Sequence, residues 1–143
     1  MKPSTWEECI ECNSSLKISP DKPKARSLIE TAQGRIAYLK EQIIKEESAN
    51  YIFEGHYSST LEYIHSLLLF QGYKSDNHIC LGFYLRDILK REDLFRMFDD
   101  CRFKRNSLVY YGKKMDFETA KETIAKCIKL IKELNLLLNE HLK

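Results

Sequence analysis

An all-helical, antiparallel up-and-down bundle of four to five helices is the fold this sequence predicts, on three observations. Apolar residues return at three- and four-residue steps through most of the chain. Only five Gly and three Pro interrupt 143 residues. No run alternates apolar and polar residues long enough to make a pair of strands.

The elements follow in order. Residues 1–20 read as an N-terminal appendage, in which Thr5-Trp6-Glu7-Glu8 resembles a capping box for one or two helical turns ending near Asn13. Residues 21–143 read as the bundle domain. Its first long helix starts at Ser19-Pro20-Asp21-Lys22-Pro23, because proline is tolerated in a first turn. Ala25, Leu28, Ile29, Ala32, Ile36, Leu39 and Ile43 then mark one face over about six turns. Ser48 opens the next helix, which runs to Gln71 and stops at Gly72. Ile52, Phe53, Tyr57, Leu61, Ile64, Leu67 and Leu68 cover so wide a face of it that it belongs at the centre. A shorter helix spans His78 to Leu89, and Arg91 opens another through Leu94, Met97, Phe98 and Cys101. That pattern weakens at Asn106, so 108–112 reads as a frayed end or a short extended turn. Asp116 caps the last helix, lined by Ala120, Ile124, Cys127, Ile128, Ile131, Leu134 and Leu138. Short connections between long helices imply antiparallel neighbours. The aromatic load of the central helix, together with Trp6, points to a homodimer.

Composition narrows the class. Apolar residues make up 43% and charged residues 31%, which excludes collagen, mucin and low-complexity chains. A chain of this length buries roughly 68–70% of its unfolded surface, so its core needs no metal or disulfide. The longest apolar runs, such as Leu67–Phe70, have four residues, far short of a membrane span. The acidic start of the chain lacks the apolar centre of a secretory signal, and a cytoplasmic domain is expected. Five cysteines, an odd number scattered through a core-sized domain, suit reduced thiols better than a disulfide framework. The net charge of +2 is too small to imply a nucleic-acid binder by itself.

Motifs exclude more than they assign. There is no GxGxxG, P-loop or HExxH, and no cofactor is expected. Cys9 and Cys12 have zinc-ligand spacing but lack a second pair, His78-Ile-Cys80 being a poor one, so no metal site is expected. Glu62 and His65 give half of a carboxylate di-metal motif without its partner, which makes His65 a hydrogen-bonded interior or interface histidine. What remains is Arg102-Phe-Lys104-Arg105-Asn106, followed by Tyr110, Tyr111, Lys113 and Lys114, with no acidic residue from 102 to 114. Arginines pair phosphates in a bidentate way, Asn106 can bond a base or ribose, and tyrosines stack. The plainer reading closes the helix end with basic residues and pairs Arg102 and Arg105 with Asp99 or Asp100.

At these residues the chain resembles the HEPN superfamily of small prokaryotic helical proteins. The resemblance covers roughly Pro23 to Leu138. Its parts are the stretch from Tyr57 to Leu69, Gly72-Tyr73-Lys74 followed by Asn77-His78, the stretch from Phe98 to Asn106, and the final amphipathic helix. It implies a homodimeric bundle acting with a minimal nucleotidyltransferase in a toxin–antitoxin-like pair. Active members are metal-independent ribonucleases with an Arg, often followed by Asn, then four to six intervening residues and a His. Arg105 and Asn106 match the start of that motif, but the His positions hold Tyr110, Tyr111 and Gly112. Counting from Arg102 gives Ser107, Leu108 and Val109 instead. Imidazole titrates near ~6.5 and a phenol near ~10, so tyrosine is a poor general base at neutral pH. The resemblance therefore implies a nucleotide-, RNA- or partner-binding module using Arg102, Lys104, Arg105, Asn106, Tyr110 and Tyr111. Its alternative is an endoribonuclease in which Tyr110 or Tyr111 replaces the His, or His65 or His78 arrives from another helix. A helical scaffold without ligand is the third possibility.

Overall fold

The computed structural model describes residues 2–142 and is a helical bundle. Its elements are α1 (Trp6–Glu11), β1 (Ser15–Lys17), α2 (Lys22–Lys40), α3 (Ala49–Gln71), β2 (Tyr73–Ser75), α4 (His78–Asp87), α5 (Glu92–Tyr111) and α6 (Phe117–Leu142). As its broad apolar face predicts, α3 is the central helix, with Phe53, Tyr57, Ile64, Leu67 and Leu68 fully buried. Helix α2 packs on one side of it and α6 on another, while α4 and α5 pair beside them. Small residues bring α2 close to α3. A Cβ on Gly55 would stand 2.9 Å from the Leu39 side chain. The Ser59 and Ser66 hydroxyls donate to the α2 carbonyls of Ala32 and Ala25, at 3.3 and 3.0 Å.

Local chemistry sets most boundaries. Thr5 accepts from the Glu8 N–H at 3.1 Å, and Glu8 reaches back to the Ser4 N–H at 2.7 Å. Asp21 accepts from the Lys24 N–H, and Asp116 from the Thr119 N–H. Gly72, at φ 84°, ends α3 in the left-handed region. A side chain there would also meet the Ile18 carbonyl at 2.7 Å.

Four sequence expectations need correction. Helix α2 stops at Lys40, and Ile43 is 74% exposed, so that apolar position belongs to a loop. Helix α5 continues past Asn106 to Tyr111 and ends at Gly112, φ 62°. Its last turn carries no inward apolar stripe beyond Leu108, which is why periodicity failed there. A strand pair does exist: β1 and β2 run antiparallel with Leu16 opposite Lys74. Three residues per strand are too few to leave a period-two signature. Finally, Cys9 and Cys80 form a disulfide across 71 residues, so the expectation of five reduced thiols fails at these two. The pairing is between α1 and α4, elements that only the fold brings together.

The N-terminal segment is thereby tied to the bundle. Trp6 is 4% exposed and meets Tyr73 and Tyr84 edge-on, with centroids 5.4 and 5.3 Å away. Such aromatic pairs contribute about 1 kcal/mol each beyond the area they bury. The Trp6 N–H donates to Asp87 at 2.8 Å. Trp6 and the central aromatics Phe53, Tyr57 and Tyr63 thus lie inside one chain, not on a face left for a second copy. Among the described residues no helix is long and apolar enough to cross a membrane.

Candidate nucleic-acid interface

Residues four apart on a helix share a face, and α5 uses that spacing to align Arg102, Asn106 and Tyr110. They line a cleft of about 240 Å³ whose other wall is Asp76, Asn77, His78 and Ile79 at the start of α4. That size suits a phosphate with its sugar rather than a whole drug-sized ligand. Asn77 is committed to capping, accepting from the Ile79 and Cys80 N–H groups at 2.9 and 3.3 Å. The cap sets His78 at the first helical position. Its Nδ1 lies 3.1 Å from the Tyr57 hydroxyl, a bond that fixes the ring and leaves Nε2 without a protein partner among the described residues.

The basic residues of the segment divide into two kinds. Arg102 directs Nε and a terminal nitrogen at one oxygen of Asp99, at 3.0 and 2.9 Å. Lys104 donates to Asp100 at 3.0 Å, and Lys126 of α6 donates to the same oxygen at 2.7 Å. The plainer reading therefore holds for Arg102 and leads Lys104 to a carboxylate as well. Arg105 is different. It has no carboxylate partner among the described residues, and its guanidinium carbon lies 5.8 Å from the ring centroids of both Tyr57 and Tyr110. Each face-on contact holds the guanidinium by about 0.5–1 kcal/mol at a partly exposed site while leaving its N–H groups free.

Tyr57 joins these parts. Its ring stacks on Phe98 with centroids 5.8 Å apart, supports Arg105, and its hydroxyl holds His78. Burial raises its own pKa far above that of a free phenol, so it stays a neutral hydrogen-bonding group. His78 is pushed the other way, below an ordinary imidazole. Burial is the main cause, with smaller contributions from Arg105, His65 and Arg102. The ring is neutral at pH 7, able to accept one proton at one nitrogen and donate from the other.

Of the residues singled out in the sequence, Arg102, Asn106, Tyr110 and His78 line the cleft and Arg105 flanks it. Tyr111 is 82% exposed and lines no part of it. Lys104 is turned to Asp100. His65 sits half-buried in a neighbouring depression of about 250 Å³ with Lys24, Lys74 and Asp76, and makes no hydrogen bond among the described residues, so the expected hydrogen-bonded histidine is not found there. Its pKa is lowered mainly by burial, with Asp76 opposing the shift. Tyr57 is the residue that sequence reasoning placed only in the core. Its signal was a hydroxyl at a core position, which must find a partner when buried. Asp76 is the cleft's single carboxylate, and it limits where an anion can sit.

This arrangement can hold a phosphate at Arg105, bond a sugar or base through Asn106, and stack a base on Tyr110. Among the described residues no group of three or more His, Cys, Asp or Glu side chains could hold a metal ion. No family model, curated protein or solved structure matches this chain.

Proposed function

We propose that this protein is a HEPN-type module that binds RNA or a nucleotide by its phosphate at the α4–α5 cleft. One observation carries the reading: at the edge of the cleft Arg105 has no carboxylate partner among the described residues and lies 5.8 Å from the ring centroids of Tyr57 and Tyr110, whereas Arg102 and Lys104 are paired with Asp99 and Asp100. An unpaired guanidinium with free N–H groups is the form that receives a phosphate. The module acts as a homodimer with a minimal nucleotidyltransferase, toxin–antitoxin-like, as the resemblance implies. Support for an interface near the cleft comes from Phe103, Tyr110 and Tyr111, which are 66%, 68% and 82% exposed.

Fluorescence anisotropy with a labelled oligoribonucleotide tests this. Wild type binds with an affinity that falls steeply with salt. Arg105→Ala weakens binding about tenfold or more, since a charge-assisted bond contributes about 1.5–3 kcal/mol. Arg96→Ala, on the exposed face of α5, is the control and changes little. Unchanged affinity in a folded Arg105→Ala protein would remove the assignment.

A second reading, metal-independent RNA cleavage, is favoured by the place of His78 beside Arg102 and Asn106. Here the imidazole that the local motif lacks comes from α4 instead. His78 would take the proton of a ribose 2′-hydroxyl, whose oxygen bonds to phosphorus to give a 2′,3′-cyclic phosphate while the bond to the 5′-oxygen breaks and that oxygen takes a proton from water. Cleavage of RNA in EDTA by wild type, lost in His78→Gln and Arg105→Ala alike, would establish it. Intact RNA after long incubation leaves the binding module.

A further inference from the structure

Away from the cleft, α2 and α6 each pack on α3 and leave a groove of about 590 Å³ between them. Its volume lies in the range of small-ligand sites. Ile36 of α2 and Ile131 of α6 supply apolar walls, and His56 and Tyr63, seven residues apart on α3, supply polar groups. Lys40 and Lys132 flank the groove from opposite walls, and no carboxylate lines it. Neither lysine has an ion-pair partner among the described residues.

His56 needs an explanation beyond packing. It is 2% exposed, and its Nδ1 has no hydrogen-bond partner. A buried polar atom left unpaired costs about 1–3 kcal/mol, so such atoms are rare and point to an absent partner. Burial, then Lys40, hold the imidazole below its ordinary pKa. The site is thus an apolar trough with two unpaired cations and an unsatisfied imidazole.

From this geometry we propose that the α2–α3–α6 groove is a binding site for an amphipathic organic anion, a carboxylate on an apolar chain or ring. The apolar body lies along Ile36 and Ile131, and the carboxylate meets Lys40 or Lys132 near His56. The site is independent of the α4–α5 cleft and shares no residue with it.

The test uses the full chain, with decanoate as probe and 1-decanol as its neutral match, each displacing 8-anilino-1-naphthalenesulfonate. Decanoate displaces the dye saturably, one per chain, and decanol does so at least about tenfold more weakly, the ratio expected for one charge-assisted contact. Lys40→Ala and Lys132→Ala, surface changes that leave the core intact, weaken decanoate but not decanol. In NMR titrations decanoate raises the pKa of His56, whose ionisable neighbours in the groove are Lys40, Tyr63 and Lys132. Arg105→Ala leaves all of this unchanged. Equal binding of decanol and decanoate, or affinity indifferent to both lysines, would overturn the proposal. So would a decanoate-sensitive dimer in sedimentation velocity, which would give the groove to a second copy of the chain.

Discussion

His78, half-buried, and His56, buried, both have depressed pKa values, yet they stand in opposite kinds of place. His78 has its Nδ1 held by Tyr57 and two arginines nearby, in a small polar cleft. His56 has an orphaned Nδ1, one lysine nearby, and a larger apolar groove. In both cases burial is the first cause of the shift, so the pKa direction alone does not separate them. Hydrogen-bond satisfaction does. On the readings proposed above, the ring fixed by Tyr57 is organised for a ligand's phosphate, whereas the unsatisfied ring of His56 lies beside a groove proposed to take an organic anion.

The largest expected effect acts on the first site only. Helix α4, which carries His78, is tied to α1 by Cys9–Cys80, and α2, α3 and α6 are not. Closing a loop of 71 residues contributes about 4 kcal/mol on the chain-entropy account. Cys9→Ser should lower denaturant stability by up to about that amount. His78 resonances should shift while those of His56 stay in place. Thiol titration of the unfolded, unreduced protein should find Cys12, Cys101 and Cys127 free. Five titrating thiols would dissolve this link and restore the reducing compartment that composition suggested.

A smaller change sharpens the contrast within the core. Tyr57→Phe keeps the ring against Phe98 and Arg105 but removes the bond to His78, for about 1 kcal/mol of stability in thermal unfolding. The His78 ring should lose its fixed orientation, seen as broadened imidazole signals, while His56 is untouched. Equal changes at both histidines would mean that Tyr57 acts through the core as a whole.

The smallest effect is on pH dependence. The native pKa values of His56, His65 and His78 lie below the unfolded value near ~6.5. The unfolded chain therefore binds more protons as pH drops through ~6.5, and stability falls from there down to the native pKa values. Above ~6.5 these groups contribute their full stabilisation. His78→Gln and His56→Gln should each flatten part of this slope in urea melts between about pH 7 and 5. A slope unchanged in both variants would place the shift at His65.

What the sequence made legible followed from local rules. Asp21, Gly72 and Asp116 mark helix ends because capping depends on residues three or four apart. The alignment of Arg102, Asn106 and Tyr110 on one face was not legible, because the exposed last turn of α5 carries no apolar stripe and read as a frayed end or turn. What escaped depended on distant segments meeting: Ser15 opposite Ser75, Cys9 against Cys80, and Tyr57 against His78. The division between Arg102 and Arg105 escaped for a related reason. Asp99 is three residues before Arg102 and within reach, while Arg105 lies against Tyr110 of its own helix and Tyr57, a ring that only the tertiary fold supplies.

The most direct test of the cleft assignment is an NMR titration of the histidine side chains with a short oligoribonucleotide in EDTA. The account predicts that His78 shifts and its pKa rises as phosphate binds beside Arg105, that His56 does not move, and that Arg105→Ala abolishes the response. A shift at His56 instead, or none at His78 under conditions where RNA binds, would contradict it.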